Sequence, residues 1–169
     1  MKLYIKQEVF SARDYFRVKD ETGNDIYEVR APEKVIIVGL QLVIRDMEGR
    51  ELAFVDQKGL ALQPTFRVHR NGEQVATIVK KFTFLKPKYE VKELGWTIQG
   101  DFLAHQYTIT SESGLVMSIE KQFLSFGDAF AINLQDEAHV MEALGVVFAI
   151  DRIMDQDQDD RSLNGWKLK

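Results

Sequence analysis

The stretch ALGVVFAI, residues 143–150, constrains this chain more than any other. It carries no charge, and eight residues on a helix reach every face of the cylinder. A helix that is apolar all round must be covered on all sides. This one is about 12–16 Å long at 1.5 Å per residue, too short to cross a bilayer. Asp136 reads as its N-cap, and Glu137 suits the positive end of the helix dipole. A second reading is a buried strand, because Val146, Val147, Phe148 and Ile150 are strand formers. The length of the segment and its Ala, Met, Leu and Glu content favour helix.

What precedes the helix reads as strands. Four fourteen-residue blocks can be laid on one another: IKQEVFSARDYFRV (5–18), VDQKGLALQPTFRV (55–68), IVKKFTFLKPKYEV (78–91) and IEKQFLSFGDAFAI (119–132). Each opens with Ile or Val and closes with Val or Ile. Each has Gln or Lys at its third position and an aromatic third from its end: Phe16, Phe66, Tyr89 and Phe130. Turn formers sit between: Arg13-Asp14, Gln63-Pro64, Lys86-Pro87 and Gly127-Asp128. Each block therefore reads as strand, tight turn, strand. The spacing between blocks is uneven, which excludes a solenoid of fixed period.

Further turns separate the blocks. Asp20 to Gly23, Asp46 to Gly49, Asn71-Gly72 and Ser111 to Gly114 are polar segments ending in a glycine. Gly95 and Gly100 read as turn residues too. The flanks alternate: Phe16 and Val18 against Arg17 and Lys19, Phe66 and Val68 against Arg67 and His69. About twelve short strands fit before residue 134, with no helical stretch between them. The expected fold is all-β with one helix: an antiparallel barrel of about twelve strands enclosing the C-terminal apolar helix.

Composition removes several classes of function. The chain is 45% hydrophobic and 28% charged, a globular balance. It has no cysteine, which excludes a disulfide scaffold, thiolate zinc sites, a cysteine nucleophile and palmitoylation. The net charge of −4 does not favour nucleic acid. No run is long enough for a membrane span, and charges interrupt the N-terminus too early for a signal peptide, so the expected location is the cytoplasm.

The D-x-x-G turns (Asp20 to Gly23, Asp46 to Gly49) and F-x-V endings such as Phe16-Arg17-Val18 resemble the LURP-one-related family. So do the run Lys80-Lys81-Phe82-Thr83-Phe84 and the apolar helix after the strands. The resemblance covers roughly residues 1–154. The family belongs to the tubby C-terminal-like superfamily, together with the phospholipid scramblases. The resemblance implies a twelve-stranded barrel around a central helix and brings no catalytic residues with it. Tubby domains are similar to membrane-bound phosphoinositide readers, and scramblases to lipid-handling proteins. A scramblase-like activity would want a membrane-competent helix and lipidated cysteines, which this chain lacks.

The leading site candidate is KKFTFLKPK, with Lys80, Lys81, Lys86 and Lys88 around Phe82, Phe84 and Pro87. Four cations in nine residues of an acidic chain could hold a phosphate at a hairpin tip or edge. The plainer reading is a solvated hairpin face whose lysines prevent edge pairing. The acidic run DRIMDQDQDD places Asp155, Asp157 and Asp159 at calcium-loop spacing, but Asp160 replaces the required glycine and Trp166 the required glutamate, so no metal is expected. His69, His105 and His139 lie at no metal-ligand spacing, and His139 with Glu142 reads as an exposed helical pair.

The expected organisation is one domain over 1–155, its helix at about 136–155, and a tail over 156–169, acidic then basic. The tail is either disordered or docked as a small strand through Trp166 and Leu168. The expected function is non-enzymatic: binding of a membrane surface or an anionic phospholipid or phosphate ligand, without a cofactor. The alternative is a protein-interaction scaffold with no lipid affinity; an enzyme with a site assembled from distant loops ranks third.

Overall fold

A computed structural model describes residues 1–7, 15–32, 39–59, 63–81, 87–102, 104–124 and 127–167. Twelve antiparallel strands follow one another in chain order. They are β1 (Lys2–Gln7), β2 (Tyr15–Lys19), β3 (Asp25–Arg30), β4 (Gln41–Asp46), β5 (Glu51–Gln57) and β6 (Thr65–Arg70). The second half is β7 (Glu73–Lys81), β8 (Lys88–Val91), β9 (Trp96–Asp101), β10 (Gln106–Ser111), β11 (Gly114–Leu124) and β12 (Gly127–Leu134). Neighbours in sequence are neighbours in space, and β1 closes the ring on β12 through Leu3–Ile132 and Ile5–Phe130. A 3-10 turn (Glu137–His139) leads into helix α1 (Val140–Lys167), which fills the barrel.

The fourteen-residue blocks turn out to encode register. The first and last residues of each are cross-strand partners: Ile5–Val18, Val55–Val68, Ile78–Val91 and Ile119–Ile132. All eight are buried. The third residue faces the aromatic in each block: Gln7–Phe16, Gln57–Phe66, Lys80–Tyr89 and Lys121–Phe130. Because side chains alternate faces, fixing one inward pair fixes the whole hairpin.

The connections are less uniform than expected. The β11–β12 ladder zips up to Leu124–Gly127, so Gly127 and Asp128 lie in a strand and not in its turn. Elsewhere the described ladders stop earlier, at Gln7–Phe16, Gln57–Phe66 and Lys81–Lys88. Arg13-Asp14 and Lys86 lie outside the described residues.

The helix reading of 143–150 holds, and every residue from Met141 to Ile150 is buried. Asp136 is the N-cap, its carboxylate accepting from the Ala138 N–H at 2.9 Å. Gly145 is the point of closest approach to the wall. A Cβ there would stand 2.6 Å from one γ-methyl of Val68 and 3.0 Å from the other. Arg70 of β6 ties down the first turn by donating to the Ala138 carbonyl and to Glu142, each at 3.3 Å.

Three expectations need correction. Glu142 is not an exposed partner of His139: it is buried and pairs with Arg70, while His139 packs edge-on against Trp96. A buried carboxylate seeks the guanidinium that the wall supplies. Gly100 is not a turn residue but lies within β9 at φ +149, where a Cβ would come 2.6 Å from the Tyr107 Cα. The helix does not end near 155 but continues to Lys167, so most of the segment expected as a tail is helical backbone. No proline interrupts that segment, and its single glycine, Gly165, comes only at the end.

Two outcomes test this architecture. Gly145→Val should overpack the core and cost about 1–3 kcal/mol, read as a lower urea midpoint, and Val68→Ala in the same chain should restore part of it. The second concerns acid. The Thr22 hydroxyl, with backbone N–H groups, holds the Asp20 carboxyl below its ordinary 3.8. At Asp46 burial pushes the carboxyl up, but the Arg50 N–H and guanidinium outweigh it and hold it low. Both contribute stability that is present above the unfolded value and lost as pH falls below it. Urea midpoints at pH 7 and pH 3 should therefore differ less in an Asp20→Asn, Asp46→Asn chain than in the wild type.

Candidate functional site

An up-and-down barrel has two ends, and the residues sort between them. One end carries the short turns β2–β3, β4–β5, β6–β7, β8–β9 and β10–β11, and α1 enters there. Glu21, Glu48, Glu73, Glu93, Glu112 and Glu137 all sit at this end. The other end carries the β1–β2, β3–β4, β5–β6, β7–β8, β9–β10 and β11–β12 connections, and α1 leaves there. Lys58, Lys80, Lys81, Lys88 and Lys121 sit at that end, with Glu90 and Asp101 among them. Lys19, Arg50, Arg70 and Lys92 share the first end with those glutamates, and α1 leaves the second carrying Asp151, Asp155, Asp157, Asp159 and Asp160.

Of the four lysines singled out above, the three that are described divide between two faces of the sheet. Lys81 and Lys88 are direct cross-strand partners on the outer face. Lys81 is exposed and paired to Glu90 at 2.5 Å; Lys88 is half-buried. Like charges placed opposite each other cost stability, and the single carboxylate of Glu90 offsets part of that. Lys80 is one residue out of phase. It shares the face of Ala76 and Ile78, opposite buried Tyr89, at the rim of the interior. Lys86 lies outside the described residues.

The cavity beside Phe16, His105, Tyr107, Phe130 and Phe148 measures about 10 Å³, roughly one water. Burial, with the Asp151 charge adding to it, pushes the Tyr107 hydroxyl far up, so it stays protonated.

The outer wall does hold one polar constellation that sequence reasoning missed. Asp56 of β5 points outward yet is only 4% exposed. Its carboxylate accepts from Arg67 Nε at 3.1 Å and from Arg67 Nη2, and it meets His69 Nε2 at 2.9 Å. Since a carboxylate accepts, the proton lies on Nε2. Asp56 and His69, together with Phe54, whose ring centroid is 5.9 Å from that of His69, edge a groove of about 420 Å³ reaching to Asn71-Gly72. Among the described residues Asp56 is the hydrogen-bond partner of His69. The arrangement orients an imidazole and pins β5 to β6. The signal was present in the second block, where Asp56 and Arg67 stand second from either end and so become cross-strand partners.

Removing either member of this pair should not cost the same. Arg67→Ala leaves a buried carboxylate with only His69, whereas Asp56→Ala leaves two partly exposed groups that water can reach. Urea unfolding should show a loss of about 2–4 kcal/mol for Arg67→Ala and a smaller loss for Asp56→Ala.

Among the described residues no helix is long and apolar enough to cross a membrane, and no group of His, Cys, Asp or Glu stands ready for a metal ion. A crystal structure of an Arabidopsis thaliana protein has the same fold, with a TM-score of 0.56 at 14% identity over 90% of this chain and 91% of that one. The uncharacterised protein YxjI of Bacillus subtilis (strain 168) is 28% identical over 160 residues, 95% of this chain and 98% of its own. The LURP-one-related profile matches residues 1–151, and this chain belongs to that family.

Proposed function

We propose that this barrel is a non-enzymatic binding module whose loop end docks on an anionic, phosphate-bearing membrane surface, peripherally and from the cytoplasmic side. One observation carries the reading: the lysines gather at the end of the barrel opposite the acidic turns. Screening over a Debye length of about 8 Å lets the lysine-bearing strand ends act locally, although the net charge is −4 and α1 leaves the same end with Asp155, Asp157, Asp159 and Asp160. The lipid-handling proteins of the tubby-like superfamily, which the sequence resembles, point the same way. A second reading, a protein-interaction scaffold, is favoured by the acidic end, which would suit a basic partner.

The test is co-sedimentation with neutral, phosphatidylserine and phosphoinositide vesicles at two salt concentrations. Binding should require anionic lipid and weaken with salt. It should be lost in the Lys80→Ala, Lys81→Ala, Lys86→Ala, Lys88→Ala chain, since each lysine near such a surface contributes about 1 kcal/mol. Lys81→Ala with Lys88→Ala should account for more of the loss than Lys80→Ala, whose side chain starts from the inner face. Absence of binding to every vesicle would leave the scaffold reading.

A further inference from the structure

Strands β5 and β6 separate at the end of the barrel where α1 enters. Their ladder runs from Gln57–Phe66 up to Phe54–His69 and stops there. Beyond it β5 continues, paired to β4 through Ile44–Ala53 and Arg45–Glu51, while β6 continues to Arg70, paired to Glu73 of β7. Register shifts mark both outer ladders at this level, between Ile44 and Arg45 and between Val68 and His69. A bulge bends and twists its strand and terminates pairing, which is how two adjacent strands come apart.

The groove of about 420 Å³ lies in this fork, with residues 51–54 on one side and His69, Asn71 and Gly72 on the other. Asn71 (φ 53) and Gly72 (φ 80) are both left-handed, a two-residue turn that fixes the rim. A similar fork at this end, between β7 and β8, is closed from within. There β7 meets β8 only from Ile78 onward, and the Glu93 carboxylate accepts from the Thr77 N–H at 2.6 Å and from its hydroxyl at 2.5 Å. Between β5 and β6 the space stays open.

Its lining has a definite chemistry. Leu52 and Phe54, both half-buried, supply apolar surface. Asp56 holds the His69 proton on Nε2, so the neutral ring offers Nδ1 as an acceptor, with no partner among the described residues. Charge at the mouth is balanced, because Glu51 stands opposite Arg45. A flat ring suits a slot between two strands with the Phe54–His69 ring pair beside it. The volume is at the lower end of ligand clefts, which run from about 300 to 1,000 Å³.

We infer that the β5–β6 fork is a binding site for a small planar aromatic molecule that carries an N–H or O–H donor. The ring of the ligand lies against Phe54 and Leu52, and its donor bonds His69 Nδ1. Asp56 is a positioning residue: it fixes the tautomer that makes Nδ1 an acceptor. The site stands apart from the membrane-docking reading and needs no lipid.

The test uses indole and benzothiophene, which are close in shape but of which only indole has an N–H. Each is titrated into the isotope-labelled chain and followed by amide NMR. Indole should shift the amides of Leu52, Phe54, Asn71 and Gly72, and should bind about three- to tenfold more tightly than benzothiophene. His69→Phe keeps a ring but removes the acceptor, so the two compounds should bind it alike, near the wild-type affinity for benzothiophene. If that variant fails to fold, the comparison in the wild type still decides, since it needs no substitution.

Equal affinity for the two compounds in the wild type would overturn the site. So would a preference for indole that survives His69→Phe, amide shifts scattered away from the fork, or no binding of either compound. None of these outcomes bears on vesicle binding, so this inference and the docking reading fail separately.

Discussion

The packing of one uncharged helix against the inside of the wall is what the rest of the structure depends on. About eight strands already make a barrel whose own side chains can fill it. Twelve strands leave a lumen that would be empty or wet. Neither the buried valines and isoleucines of the wall nor the ALGVVFAI segment could leave water without the other. The fit is close: Gly145 has only a hydrogen where Val68 presses against the helix. Arg70, reaching from the wall to Glu142 and the Ala138 carbonyl, fixes the depth of the helix by a polar contact that an apolar interface could not supply.

The helix fills the barrel closely, and the cavity beside Phe16 and Phe148 holds about one water. The outside is uneven. Short turns and glutamates mark the end where the helix enters; Lys58, Lys80, Lys81, Lys88 and Lys121 lie toward the end where it leaves. The Asp56–Arg67–His69 constellation lies on the side wall between them, where its mutual satisfaction serves the register of β5 and β6.

Much of the fold was legible in the sequence because strand pairing is written in symmetry about a turn. The paired ends of the fourteen-residue blocks and their aromatics became cross-strand partners. Where the reading failed, the missing information was non-local. Gly100 looked like a turn glycine, yet what requires it is the approach of Tyr107 on the next strand. Glu142 looked exposed because its partner, Arg70, is 72 residues away. The lysines looked like one patch because they are close in sequence, but adjacent strand residues point to opposite faces, which separates Lys80 from Lys81.

By itself the sequence determined the class: strands set by alternation and turn chemistry, a helix set by an uncharged run, and the obligation of one to enclose the other. These follow from local propensity and from the cost of leaving apolar surface in water, and both act wherever the chain goes. Tertiary structure decided which charges meet. It placed Lys81 against Glu90, Arg67 against Asp56 and Arg70 against Glu142. Closing the ring sets those distances, and no stretch of sequence contains them.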